Sequence, residues 1–130
     1  MKARILYIED NEPNLYMVTF LLEANGYEVI QAREGNAGIE IADRDRPDII
    51  LLDIQLPSMD GYKVASILRK NPDLSETPIV ALTSFAMVGD RKKAMEAGCV
   101  GYIEKPINPD TFVVEIGQYL SKHIFKGPGK

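Results

Sequence analysis

Hydrophobic and polar residues follow one another in blocks along this chain, and the period changes from block to block. Residues 4–9, "RILYIE", carry Ile5, Leu6, Tyr7 and Ile8 without interruption and stop at two adjacent carboxylates, Glu9 and Asp10. An unbroken apolar run of this length predicts a strand buried on both faces. From Pro13 to Asn25 the period becomes helical, with Asn14, Met17, Val18, Leu21, Leu22 and Asn25 on one stripe. Pro13 suits a first helical turn and Gly26 a stop. "YEVIQA" predicts a second strand. "EGNAGIEIADRD" predicts a helix that turns Ala37 and Ile41, with Ile39 beside them, inward. "PDIILLDI" is a third strand and "DGYKVASILRK" a helix carrying Val64, Ile67 and Leu68. "TPIVALT" is a fourth strand, followed by a shorter, more polar helix in "VGDRKKAMEAG". "CVGYIE" is the fifth strand. The last helix, "NPDTFVVEIGQYLSKH", has Asn108 as its N-cap and Pro109 in its first position.

Strand and helix therefore alternate five times at βα spacing. That pattern predicts one doubly wound α/β domain: a parallel sheet with helices on both faces and right-handed crossovers. Residues 1–123 are expected to form it, with 124–130 a frayed tail. Such sheets bind ligands beyond the carboxyl ends of their strands, at a topological switch point. Glu9 and Asp10 follow the first strand, Asp53 ends the third, Thr83 and Ser84 end the fourth, and Lys105 follows the fifth. The second strand ends in "QAREG", with nothing comparable.

Taken singly, each of these residues has an ordinary explanation. An acid after a strand is usually a cap or turn residue, a lysine is usually solvated, and Thr and Ser often bond their own backbone. Together, three carboxylates at one sheet edge need a cation. Oxygen ligands with room for water favour Mg²⁺, or Mn²⁺, over zinc. One lysine and a hydroxyl can then hold an anion beside them. This is equipment for phosphoryl transfer, where catalysis is mainly positioning and charge neutralisation. Asp53, central among the other groups, is the candidate nucleophile.

Composition narrows the field. A chain of 130 residues with 45% hydrophobic content suits a single core. No apolar run approaches the roughly 20 residues of a membrane span, and Glu9 and Asp10 come too early for a signal peptide. The expected setting is the cytoplasm, away from the membrane. The one cysteine, Cys99, excludes an internal disulfide and reads as a buried small hydrophobe. The one histidine, His123, has no second histidine or cysteine to share a metal with and reads as solvated. A net charge of −4 gives no electrostatic argument for direct nucleic acid binding.

The motifs "EDN" at 9–11, "LLDIQLPSMDG" at 51–61, "ALTSFA" at 81–86 and "GYIEKP" at 101–106, in this order, resemble those of the receiver domains of two-component response regulators. The match covers residues 3–123 and is similar to the stand-alone receivers of chemotaxis and cell-cycle control. The resemblance implies the flavodoxin-like (βα)5 three-layer sandwich with strand order 2-1-3-4-5. It implies that Asp53 accepts a phosphoryl group from a phosphohistidine on a histidine kinase or histidine phosphotransferase. Asp10 and Asp53 would ligate Mg²⁺, with Glu9 direct or through water and the backbone carbonyl of Gln55 as a further ligand. Thr83 would hydrogen-bond the phosphoryl oxygens, Lys105 would pair with them, and Tyr102 would be the switch aromatic that moves with Thr83. The Lys105–Pro106 bond is expected to be cis, and Pro57 and Gly61 match the loop after the acceptor. Gln55 and Phe85 occupy the positions that tune phosphoryl lifetime among receivers. An apolar Phe85 cannot orient an attacking water, which implies slow autodephosphorylation; packing of Phe85 at the surface is the competing explanation.

Two surfaces could meet partners. Tyr16 and Phe20, four apart on the first helix, lie roughly opposite its core stripe. With Leu15 and Pro106 they form the expected docking patch for the kinase or phosphotransferase. Arg91, Lys92 and Lys93 cluster on the fourth helix; such a run is usually just solvated. In receivers that helix, the fifth strand and the last helix form the output surface, here for an unidentified protein, with the chain a monomer or weak dimer. No attached DNA-binding segment is expected after His123. The leading expectation is a phosphorylation-controlled switch that acts on no separate metabolite. A Mg²⁺-dependent phosphohydrolase with an aspartyl-phosphate intermediate is the alternative, although Gln55 stands where such hydrolases carry a second acid. A constitutive interaction module is the third reading.

Overall fold

Five apolar runs become five parallel strands in a computed structural model that describes residues 2–57, 59–84 and 88–126. They are β1 (Arg4–Ile8), β2 (Glu28–Ala32), β3 (Ile49–Asp53), β4 (Ile79–Thr83) and β5 (Gly101–Glu104). Their order is β2-β1-β3-β4-β5, so winding reverses at the crevice between β1 and β3. Helices α1 (Glu12–Ala24) and α5 (Pro109–Lys126) cover one face. Helices α2 (Gly35–Asp45), α3 (Gly61–Lys70) and α4 (Asp90–Glu96) cover the other. The result is the doubly wound, flavodoxin-like three-layer sandwich. Because both faces are covered, β3 and β4 are buried at every position.

Strand parity divides the core in two. Ile5 and Tyr7, Ile49 and Leu51, Val80 and Leu82, and Ile103 face α1 and α5. Leu6 and Ile8, Ile50 and Leu52, and Ile79 and Ala81 face α2, α3 and α4, with Tyr102 packed against them. Alternate residues of a strand point to opposite faces. Glu9, Asp53 and Lys105 thus continue the parity of the α1/α5 face, whereas Thr83 and Tyr102 belong to the α4 side.

Local signals set most helix ends. Asn11 caps α1, its Oδ1 accepting the Asn14 N–H at 2.9 Å, so the helix begins one residue before Pro13. Gly26 leaves the helix at a φ of 92°, which a side chain would resist. Asn108 caps α5, accepting the Asp110 N–H at 2.9 Å. That helix continues through Lys126; residues 127–130 and the His123 side chain lie outside the described residues. Cys99 is buried, and that burial pushes its thiol up to about 11, as suits an inert small hydrophobe.

The buried face of α1 departs from the expected stripe. Leu15, Val18 and Leu22 are buried, while Met17 is 45% exposed. The helix is rotated so that Leu15 enters the core in place of Asn14, which avoids burying an amide where a leucine is available.

The turn after β3 is held against α3 by close backbone contact. Gly61 donates its N–H to the Ile54 carbonyl at 3.1 Å, and a Cβ there would lie 2.5 Å from Ile54 Cα. Gly61→Ala is expected to cost about 2 kcal/mol, because backbone on backbone cannot yield by a rotamer change. Urea unfolding measures it, and a cost near zero would show that α3 can shift freely away from the Asp53 turn.

Candidate functional site

Four strand ends meet at the crevice between β1 and β3. The ladder of β1 extends one residue further, since the Glu9 N–H donates to the Ala32 carbonyl at 2.9 Å. That extension fixes Glu9 on the same side as Tyr7. On the opposite flank, the Lys105 N–H donates to the Thr83 carbonyl at 2.7 Å, carrying β5 on to Lys105. The next peptide, Lys105–Pro106, is cis.

Glu9, Asp10 and Asp53 each offer a carboxylate oxygen, all within 4.8 Å of one another. Glu9 is fully buried and Asp53 3% exposed, whereas Asp10 faces solvent. A hard all-oxygen set with one open side fits Mg²⁺ or Mn²⁺. The ammonium of Lys105 enters from the β5 side. It donates to Glu9 Oε1 at 2.7 Å and lies 3.6 Å from Asp53 Oδ2. Asp53 Oδ1 accepts the Gln55 N–H at 2.9 Å. The side chain of Gln55 reaches over to β4, its Oε1 accepting the Ser84 N–H at 2.9 Å.

Crowding acts differently on the two buried acids. For Asp53, burial comes first, then the hydrogen bond shared with Glu9; the Gln55 N–H and Lys105 pull the other way, and the carboxyl ends up at about 6. Burial alone would raise Glu9 as well, but hydrogen bonds from Asp53, Lys105 and Tyr7 outweigh it and hold Glu9 below the usual carboxylate range. Of the two, Asp53 is therefore the acid that takes up a proton first as pH falls.

Tyr7 is the participant that the sequence reading missed. By sequence it is only part of an apolar run, yet its hydroxyl donates to Glu9 Oε1 at 2.8 Å. The available signal was positional: a tyrosine two residues before an acid on one strand shares its face.

The proposed switch pair lies on the α4 side, Thr83 buried at the end of β4 and Tyr102 half-buried on β5. The Tyr102 hydroxyl is buried and makes no hydrogen bond of normal length among the described residues, although Thr83 is near enough to act on its ionisation. Burial first, then the charges of Asp90 and Glu104, push its pKa above the usual tyrosine value and so oppose ionisation. Arg91 lies over the Tyr102 ring at 5.5 Å, and Lys93 over the Tyr62 ring at 5.3 Å. The basic run of α4 is therefore partly engaged with aromatics. Phe85 falls outside the described residues.

On α1, Tyr16 and Phe20 are 74% and 65% exposed and stack with centroids 6.4 Å apart. Leu15, expected beside them, is 1% exposed and belongs to the core for the reason given above. Met17 takes its place on the exposed face, and Pro106 is exposed across the crevice.

The family model described as "Response regulator receiver domain" matches residues 5–117. The chain belongs to the response regulator receiver family. It is 41% identical over 120 residues to the polar-differentiation response regulator DivK of Brucella anthropi, covering 92% of this chain and 98% of that protein. Its fold superimposes on a CheY-like receiver from Methanospirillum hungatei with a TM-score of 0.92 at 27% identity, over 98% of this chain and 100% of that one. The receiver of sensor histidine kinase PA1611 from Pseudomonas aeruginosa, which carries a magnesium ion in its active-site cleft, gives a TM-score of 0.86 at 31% identity, over 93% and 99% of the two chains. Receivers of this kind are signalling switches. Among the described residues of this one, no helix is long and apolar enough to cross a membrane.

Because the fold raises Asp53 from 3.8 to about 6, its protonated form is favoured in the folded protein. Metal-free stability therefore falls as pH rises from the unfolded value through about 6. Asp53→Asn removes that cost. In EDTA the variant should exceed the parent by about 3 kcal/mol above neutrality, with the gap closing near pH 4. Urea midpoints across pH measure this, and a constant gap would refute the assigned cause.

Proposed function

We propose that this receiver is a single-domain response regulator that accepts a phosphoryl group on Asp53 in a Mg²⁺-dependent reaction. The donor would be a phosphohistidine of a histidine kinase or histidine phosphotransferase. The observation that carries the reading is the position of Lys105, close to Asp53 but hydrogen-bonded to Glu9. An ammonium so placed can turn to an anion built on Asp53 without leaving the crevice.

A carboxylate oxygen of Asp53 attacks phosphorus, the P–O bond forms, and the P–N bond to the donor imidazole breaks. The electron pair leaves with the imidazole. The Glu9, Asp10 and Asp53 carboxylates and the Gln55 carbonyl would hold the divalent ion. When bound, that ion supplies positive charge against the phosphoryl oxygens. Lys105 neutralises a further oxygen and Thr83 donates a hydroxyl to another. Hydrolysis of the acyl phosphate returns the protein to its first state, so no separate metabolite is consumed. A hydrolase acting on one would want a second acid at Gln55, whose amide oxygen instead accepts the Ser84 N–H.

The signal would leave through Thr83 and Tyr102. Movement of Thr83 towards the phosphoryl group opens space on the α4 side, and Tyr102 follows, giving up its contact with Arg91. The α4-β5-α5 surface then changes for an output protein in the cytoplasm. Tyr16, Met17 and Phe20 form the docking face for the donor's helices, with Pro106 at its edge. The receiver unit would end near His123.

Incubation with acetyl phosphate and Mg²⁺ should add one phosphoryl mass to the wild type and none to Asp53→Asn. An unmodified wild type, or a modified Asp53→Asn, would overturn the assignment. Acetyl phosphate does not need the docking face. Tyr16→Ser with Phe20→Ser should therefore slow transfer from the cognate kinase about tenfold, as for paired interface hot spots, and leave the acetyl phosphate reaction unchanged. Equal slowing of both reactions would remove the docking proposal.

A further inference from the structure

The geometry points to Tyr7 as a positioning residue that keeps Lys105 free to move from Glu9 to an anion on Asp53. The inference rests on the reading of Asp53 as phosphoryl acceptor. Glu9 Oε1 receives two donors, the Tyr7 hydroxyl at 2.8 Å and the Lys105 ammonium at 2.7 Å. Glu9 Oε2 accepts the Asn11 N–H at 3.3 Å, a longer contact than either bond to Oε1. The carboxylate is fully buried, and so is Tyr7.

An ammonium that leaves a buried carboxylate strands its charge, and the cost falls on the step that draws the ammonium away. The two donors on Oε1 differ in this respect. Lys105 sits on a flexible stem and already lies 3.6 Å from Asp53. Tyr7 is carried on β1 with its ring in the α1/α5 core, so its hydroxyl cannot follow. It stays on Glu9 when the lysine turns, and its bond strengthens as the competing donor departs. Without that hydroxyl, Lys105 would be the only side-chain cation or hydroxyl bound to Oε1 and would be held there more firmly. The same two donors occupy Oε1, which leaves Oε2 as the Glu9 oxygen turned towards a cation or its water.

Tyr7→Phe removes the hydroxyl and keeps the ring. Beryllofluoride, a phosphoryl mimic, and Mg²⁺ separate this role from a structural one. By calorimetric titration, Mg²⁺ should bind Tyr7→Phe as tightly as wild type or more tightly, because Glu9 has lost a competing donor. Beryllofluoride at saturating Mg²⁺ should bind about tenfold more weakly, in the range of one charge-assisted hydrogen bond. A loosened core would weaken both, and that result, or an unchanged beryllofluoride affinity, overturns the inference. A wild type that takes no beryllofluoride overturns the phosphoacceptor reading and this inference with it, whereas normal wild-type binding with no Tyr7 effect removes this inference alone. If Tyr7→Phe does not fold, the wild type decides. The ring Cζ resonance of Tyr7, in ¹³C-tyrosine protein, should shift as beryllofluoride draws Lys105 away. An unmoved resonance overturns the inference.

Discussion

Lys105 is a cation placed among acids that burial would otherwise drive to take up protons. Two of the three carboxylates are shielded from water, and a buried charge is tolerable only when paired and hydrogen-bonded. The ammonium satisfies Glu9 directly and Asp53 at longer range. What remains is an excess of negative charge on the open side, where Asp10 stands. The site is thus incomplete by construction: stable enough to fold, and short of the positive charge that a divalent ion brings.

The rest of the fold keeps this imbalance in place. Parallel strands end together at one edge, and their parity decides what each contributes. Tyr7, Glu9, Asp53 and Lys105 continue the α1/α5 side. Thr83 and Tyr102 continue the α4 side, so Asp53 lies between Glu9 and Lys105 on one flank and Thr83 and Tyr102 on the other. A single sheet register, Leu82 opposite both Asp53 and Ile103 and Thr83 opposite Glu104, makes this division. A slip of one residue in β5 would turn Lys105 to the wrong face.

Much of this was legible in the chain. Five unbroken apolar runs separated by helical periods predicted the alternation, and Pro13, Gly26 and Asn108 are local signals that start or end helices within a residue or two of where they stand. The sequence reading also named Glu9, Asp10, Asp53, Thr83 and Lys105 as residues gathered at one edge, because each follows a strand directly. The expected stripe on α1 held Val18 and Leu22, which are buried, and Leu21, which packs against the core, but it placed Asn14 and Met17 inward where the fold buries Leu15. Both sets have helical spacing, and only contact with the sheet selects between them.

The sequence by itself determined the order of elements, the identity of the groups at the strand ends and the acidic excess, because all three follow from local period and residue type. The tertiary structure decided which donor meets which acceptor. Tyr7 reads as one more apolar residue until the sheet carries its hydroxyl to Glu9, and Glu9 and Asp10 look alike until burial takes one and leaves the other in water. Lys105 lies far along the chain from Glu9, and their pairing exists only because the fifth strand lands beside the fourth. Periodicity says which face a residue takes; it does not say what waits on that face, since that is set by segments distant in sequence.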